Sequence, residues 1–216
     1  MIVKYNYNLK REPLVIRNIS QLSINIEDNS LSSVYKLDDF FSKPGTTVVY
    51  AGVVTKSRRI DELVHAVSKL ASTCKLLIIG KGDFLDELKI LASKNDNLVY
   101  AFTGAIPYKK LGFLLSKCDI GFIYYPVNTL NNIYCASNKV YEYASVGLPM
   151  ISNENPTIKK IFDSEKIGIS TNDFVNGIRT IANNITDYQE RCEIFTKKNP
   201  WFDEAKKLLC ALMQFR

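Results

Sequence analysis

Apolar positions along the chain fall into short continuous runs separated by segments with helical spacing. Thr46–Ala51 reads as a buried strand ending at Gly52, and in 60–71 the apolar residues Ile60, Leu63, Val64, Val67 and Leu70 recur as on one face of a helix. The alternation then continues. Strands are predicted over 75–79, 97–103, 119–124, 149–152 and 167–169, and helices over 84–92, 109–116, from Asn138, and over 156–162. This pitch predicts an α/β fold in which a parallel sheet carries helices on both faces. From Phe174 the chain reads as helical, over 174–184, 188–197 and 201–215. In the last of these Phe202, Ala205, Leu208, Leu209 and Leu212 form an apolar stripe.

Parallel sheets bind ligands at the carboxyl ends of their strands. The loops there are 52–59, 80–83, 104–108, 125–137 and 152–155, and the first three begin with Gly52, Gly80 and Gly104, where backbone can approach a ligand closely. Residues 1–44 are less regular. A strand-like run at 14–18 is followed by a polar segment with Glu27-Asp28-Asn29-Ser30, ending at Lys43-Pro44-Gly45.

The stretch from Asn138 to Pro149 is the most informative. Ser137 is a good N-cap, Val140, Tyr141 and Ala144 can face a core, and Gly147 followed by Pro149 closes a helix of roughly three turns. Asn138 and Lys139 lie four and three residues before Glu142, so the three share one face near the N-terminal end. The open amides of a first turn attract an anion. A carboxylate one turn further in suits sugar hydroxyls beside a phosphate. On spacing alone, an ordinary amphipathic helix with a solvated polar face is the favoured reading.

Asn138-Lys139-Val140-Tyr141-Glu142-Tyr143, then Gly147-Leu148-Pro149, resembles the helix closing the donor site of the family-four GT-B glycosyltransferases. Ser137 stands where the most similar branch has proline. The resemblance runs over residues 46–170, with a weaker trace at 14–18, and implies the Rossmann-like C-terminal half of a GT-B fold with a helical C-terminal tail. It divides the chain into a linker and remnant of an N-terminal half (1–44), a nucleotide-sugar-binding domain (45–200) and a C-terminal helix (201–216).

The resemblance also assigns roles. Arg58, with Lys56 and Arg59 as nearby substitutes, grips the diphosphate and offsets charge on the leaving group. Gly80-Lys81-Gly82-Asp83 matches the family's Gly-x-Gly-acidic turn. Phe102 to Pro107 matches the segment whose backbone reads the nucleobase, with Gly104 in the turn and Ile106 against the ring. Glu142 binds ribose hydroxyls, while the amides of Ser137, Asn138 and Lys139 receive the diphosphate. Two positions depart from the pattern: Val53 replaces a frequent arginine after Gly52, and Tyr134, eight residues before Glu142, replaces a frequent glutamate.

Composition adds limits. The 216 residues can bury one sizeable core, and 28 basic against 22 acidic residues give a net charge of +6, which favours an anionic partner such as nucleotide phosphates or an acidic membrane surface. Basic pairs are scattered and form no tract suited to nucleic acid. No apolar run has the length of a membrane span, and the expected location is cytoplasmic, including the inner face of a membrane. Five dispersed cysteines suggest buried free thiols rather than a metal site or disulfides, and the single histidine, His65, has no local partner.

The expected function is transfer of a sugar from a nucleoside diphosphate sugar to a hydroxyl acceptor. By resemblance the transfer proceeds with retention, requires no metal or other cofactor, and is completed by an acceptor-binding half in a missing or separate segment. Surface-polysaccharide assembly is the family-level setting. The alternatives are a non-catalytic α/β nucleotide-binding or interaction module and, less favoured, a nucleotide-sugar epimerase.

Overall fold

The computed structural model describes residues 9–10, 12–24, 31–135 and 137–213. Two short helices, α1 (Leu31–Val34) and α2 (Asp38–Ser42), precede the sheet. Then follow β1 (Thr46–Ala51), α3 (Ile60–Ser68), β2 (Cys74–Ile79), α4 (Leu85–Ser93), β3 (Tyr100–Gly104), α5 (Tyr108–Leu115) and β4 (Ile120–Ile123). The second half holds α6 (Leu130–Ile133), α7 (Asn138–Ser145), β5 (Met150–Ser152), α8 (Pro156–Glu165) and β6 (Gly168–Ser170). The chain continues with α9 (Phe174–Asn183), α10 (Ile185–Lys198) and α11 (Trp201–Met213).

The six strands are all parallel, in the order β3-β2-β1-β4-β5-β6. Because both faces are covered, β1, β2 and β4 are buried continuously rather than on alternate positions, apart from Thr46 at the start of β1. One core layer joins Val49, Leu77 and Ile123 to Leu114, Val140, Tyr143 and Phe162. The other joins Val48, Leu76 and Phe122 to Leu63, Leu88, Phe174 and Ile178. This is the predicted Rossmann-like α/β fold with a helical C-terminal segment.

Residues 14–18 do not form the expected strand. They lie without regular structure, and the segment is fixed by side chains instead. Arg17 ion-pairs through its guanidinium with the fully buried Glu204 of α11 at 2.7 Å, and its backbone N–H donates to the same carboxylate at 2.9 Å. Lys207 adds a second ion pair at 2.6 Å. Ile19 and Leu22 are buried, and the Leu22 N–H donates to the Ser145 hydroxyl at 2.9 Å. The backbone crosses α5 at Gly112, where a β-carbon would stand 2.3 Å from the Ser23 carbonyl oxygen.

The Glu204 clamp is pH-sensitive. Hydrogen bonds from Lys207 and from the Arg17 backbone hold its carboxyl at about 2, below the ordinary 4.5. A depressed carboxyl stabilises the fold fully above the unfolded value and loses that contribution as pH falls through the folded one. Release of α11 is therefore expected progressively between pH 4.5 and about 2. Trp201, the only tryptophan and the first residue of α11, reports it by fluorescence. Glu204→Gln should give the released signal already at neutral pH.

Lys75 ties α2 to the sheet. Its buried ammonium donates to the Phe40, Phe41 and Lys43 carbonyls at 3.0, 3.2 and 2.5 Å, satisfying acceptors that the short helix leaves open. Lys75→Met should lower the free energy of unfolding by about 2 kcal/mol, measured by denaturant titration, because those carbonyls lose their donor.

Phe202, Leu208, Leu209 and Leu212 of the α11 stripe are exposed, and the buried side of the helix is the one carrying Glu204. Two further expectations need correction. Cys74, Cys118 and Cys192 are buried as expected, but Cys135 is half-buried and Cys210 exposed. The helix from Asn138 ends at Ser145, after eight residues rather than three full turns. Gly147 then takes a positive φ of +72° and turns the chain towards β5.

Candidate functional site

Strand order reverses between β1 and β4, and the loops leaving their carboxyl ends diverge to opposite sides. A cavity of about 360 Å³ opens there. Ile79, Ile106 and Leu111 form its apolar part, while Lys139 and Glu142 of α7 enter from the other side. The arrangement suits a ligand with one flat apolar end and one anionic, hydroxylated end.

Two glycines form the floor. Gly80 has φ +143°, and a β-carbon there would lie 1.8 Å from the Gly52 carbonyl oxygen. Gly52 has φ +149°, and its β-carbon would lie 2.6 Å from Lys139 Nζ. The absent side chains leave the lysine packed directly over the turn after β1. Below it, buried Tyr50 donates its hydroxyl to the Val53 carbonyl at 2.7 Å, and its ring centroid lies 5.7 Å from Lys139 Nζ. Tyr143, fully buried, accepts the Ala51 N–H at 3.0 Å and so locks α7 to β1.

Charge in the cavity is balanced closely. Burial lowers the Lys139 ammonium below the ordinary 10.5; Glu142 opposes that shift and Arg58 adds to it. Arg58 is held by the Tyr124 carbonyl at 3.1 Å and by the Tyr125 ring, whose centroid is 4.2 Å from its guanidinium carbon. Tyr125 is fixed in turn by buried Asn153, which accepts its N–H at 3.1 Å and donates to its carbonyl at 2.8 Å. Lys139 and Arg58, with Lys81 also in the lining, thus outnumber the one carboxylate and leave a positive balance for an anion.

Gly52, Gly80, Ile106, Lys139 and Glu142 come together in the lining, with Arg58 beside it. Lys56 does not join them, for it is exposed in a single 3-10 turn, Lys56–Arg58. Arg59 takes φ +45° and pairs with Asp61 and Glu62 at the start of α3. Gly104 sits just behind the wall, accepting the Gly80 N–H at 2.8 Å. Ser137 precedes α7 but makes no side-chain cap; its hydroxyl donates to the Tyr125 hydroxyl oxygen at 3.3 Å. Asn138 turns away from Glu142, its side-chain oxygen accepting from Asn18 at 2.9 Å.

Sequence reasoning missed Tyr108, Tyr125 and Asn153. Tyr108 lines the cavity and donates its hydroxyl to Glu142 Oε1 at 3.1 Å. The only sequence signal was their place in carboxyl-end loops. No group of three or more His, Cys, Asp or Glu side chains that could hold a metal ion occurs among the described residues, and no described helix is long and apolar enough to cross a membrane.

Comparison with known proteins adds a family. The model of the family described as Glycosyl transferases group 1 matches residues 45–187. No curated protein matches the chain. Among solved structures, Anabaena Alr3699/HepE in complex with UDP-glucose superposes with a TM-score of 0.72 at 12% identity, over 93% of this chain and 57% of that one. The pneumococcal O-GlcNAc transferase GtfA in complex with UDP and GlcNAc gives 0.69 at 15% identity, over 99% and 42%. The C-terminal domain of the Francisella tularensis glycosyl transferase group 1 family protein LpcC gives 0.56 at 13% identity, over 85% and 95%. The chain spans less than two thirds of the first two, and at these identities the likeness is one of fold.

Proposed function

The chain belongs to the Glycosyl transferases group 1 family, and from that premise we propose that it is the donor-binding half of a GT-B glycosyltransferase that uses a nucleoside diphosphate sugar. The observation that carries this reading is the entry of Lys139 and Glu142 from one helix into the cavity at the β1/β4 reversal, beside Arg58. The diphosphate sits against the first amides of α7, Lys139 and Arg58. Glu142 accepts hydrogen bonds from the ribose, and the base lies along Ile79, Ile106 and Leu111. UDP-bound relatives of the same fold support this class of ligand.

In the reaction the bond from the anomeric carbon to the diphosphate oxygen breaks, the acceptor hydroxyl oxygen bonds to the same face of that carbon, and the hydroxyl proton passes to the departing diphosphate. The positive groups stabilise the departing diphosphate, a role that a metal ion fills elsewhere. Residues 1–44 are the linker and remnant of the other half, 45–200 the nucleotide-sugar domain and 201–216 the closing helix. The exposed stripe on α11 fits a contact with an acceptor-binding half. Assembly of a surface polysaccharide at the cytoplasmic face of a membrane is the setting.

The loss of acidic and basic positions at Tyr134 and Val53 favours a second reading, nucleotide binding without transfer. Calorimetric titration with UDP, GDP and ADP, in magnesium and again in EDTA, tests the shared premise. Saturable binding of one nucleotide, unchanged by EDTA, is expected. Failure of all three, or binding only with magnesium, would contradict it. Sugar transfer on addition of an acceptor-half polypeptide would then exclude the non-catalytic reading.

A further inference from the structure

Beyond the residues assigned so far, the linker reaches the site itself. Tyr108 begins α5 and stands across the cavity from α7. Its hydroxyl proton points to Glu142 Oε1 at 3.1 Å, and its oxygen also forms a short hydrogen bond with the Ser20 hydroxyl. A carboxylate only accepts, so the one phenolic proton is committed to Glu142 and Ser20 must donate to Tyr108. Partial burial and the neighbouring carboxylate hold the phenol above the usual tyrosine range, which keeps that proton in place.

We propose that Tyr108 and Ser20 are positioning residues for Glu142, a directed chain of hydrogen bonds by which the linker fixes the carboxylate that reads the ribose. The linker is well placed to act as an anchor. Arg17 is clamped to Glu204, Ile19 is buried, and Asn18 donates to Asn138 at the first turn of α7. With Leu22 buried on the other side and its N–H bound to Ser145, Ser20 is held between fixed residues rather than on a loose strand. With Oε1 engaged by Tyr108, the carboxylate keeps one rotamer and leaves Oε2 for the ribose. Neither Tyr108 nor Ser20 is required to touch the diphosphate.

The proposal rests on the donor-site reading above, and the test separates the two. Wild type, Tyr108→Phe, Ser20→Ala and the double variant are titrated with UDP, GDP, ADP and their 2′,3′-dideoxy counterparts. Wild type should prefer the ribonucleotide of its base. Tyr108→Phe, which keeps the ring, should lower ribonucleotide affinity about fivefold to tenfold while leaving the dideoxy form unchanged. Ser20→Ala should act in the same direction by about two- to threefold, and the double variant should match Tyr108→Phe alone, since both act through one chain. Equal losses for ribo and dideoxy ligands, or additive effects, would overturn the proposal while leaving the nucleotide site intact. A wild type indifferent to the ribose hydroxyls would remove the role of Glu142 and this proposal with it.

Discussion

Gly80→Ala is expected to lower the free energy of unfolding by about 3 kcal/mol or more, since a β-carbon there makes the closest approach of any glycine in the chain. Two causes add. The backbone at φ +143° is one that residues with a β-carbon rarely adopt, and the new carbon would fall 1.8 Å from the Gly52 carbonyl oxygen, well inside contact distance. Backbone cannot swing aside as a side-chain tip can, so β1 and β2 must part at their carboxyl ends. Gly147→Ala supplies the control. Its φ is +72°, but nothing lies within 4 Å of the added carbon, so only the conformational cost of about 1 kcal/mol applies. Denaturant unfolding of the two variants should rank them in that order. A Gly80 variant as stable as the Gly147 variant would show that the turn after β2 does not press on the turn after β1.

The second large effect concerns the cation over that turn. Lys139→Ala should reduce nucleoside diphosphate affinity by about 30-fold, the range for loss of a charged hydrogen-bond donor to an anion. Lys139 packs over the Tyr50 ring and the Gly52 backbone, so its ammonium has little room to move. Gly52→Ala should therefore cause a loss of similar kind, because the new β-carbon would meet Nζ at 2.6 Å and push it aside. The combined variant should bind no more weakly than Lys139→Ala, since the glycine acts through the lysine. Burial also places the Lys139 ammonium below 10.5, so wild-type affinity should fall with rising pH before an ordinary lysine deprotonates. Titrations across alkaline pH check this limb, which Lys139→Ala should abolish.

The sheet was legible because parallel strands buried on both faces leave continuous apolar runs, as in Val48-Val49-Tyr50-Ala51 and Leu76 to Ile79. The start of β3 was read three residues early. There Asn95 accepts the Asn97 N–H at 3.1 Å and the Leu98 N–H bonds to the Asn95 carbonyl, so a turn occupies what composition suggested was strand. Lys139 and Glu142 were legible from their spacing on one helix. Tyr143 was not, because its burial depends on space above Gly121, where a β-carbon would come within 2.3 Å of its ring. Tyr141 does face the core as periodicity suggested, half-buried and stacked on Phe195 with centroids 5.6 Å apart.

The polar details were least legible, for they depend on contacts between distant segments. Ser20, Tyr108 and Glu142 form one chain across residues that share no local pattern. Ser137 had the identity of a cap, but its hydroxyl finds Tyr125 instead. The stripe on α11 was visible as a pattern while its direction was not. Glu204 is buried against Lys207 and against Arg17 of the segment before the sheet, and the apolar side of the helix faces outward.

The most direct test of the donor site is calorimetric titration of the nucleotide that binds wild type against Glu142→Ala and Arg58→Ala. Glu142 lines the cavity and Arg58 is held beside it by Tyr124 and Tyr125, so each change removes one side of the proposed ligand's recognition. The account predicts saturable binding in wild type, weakened about tenfold or more by each substitution. Binding that survives both substitutions at wild-type strength would contradict it and place the nucleotide elsewhere on the fold.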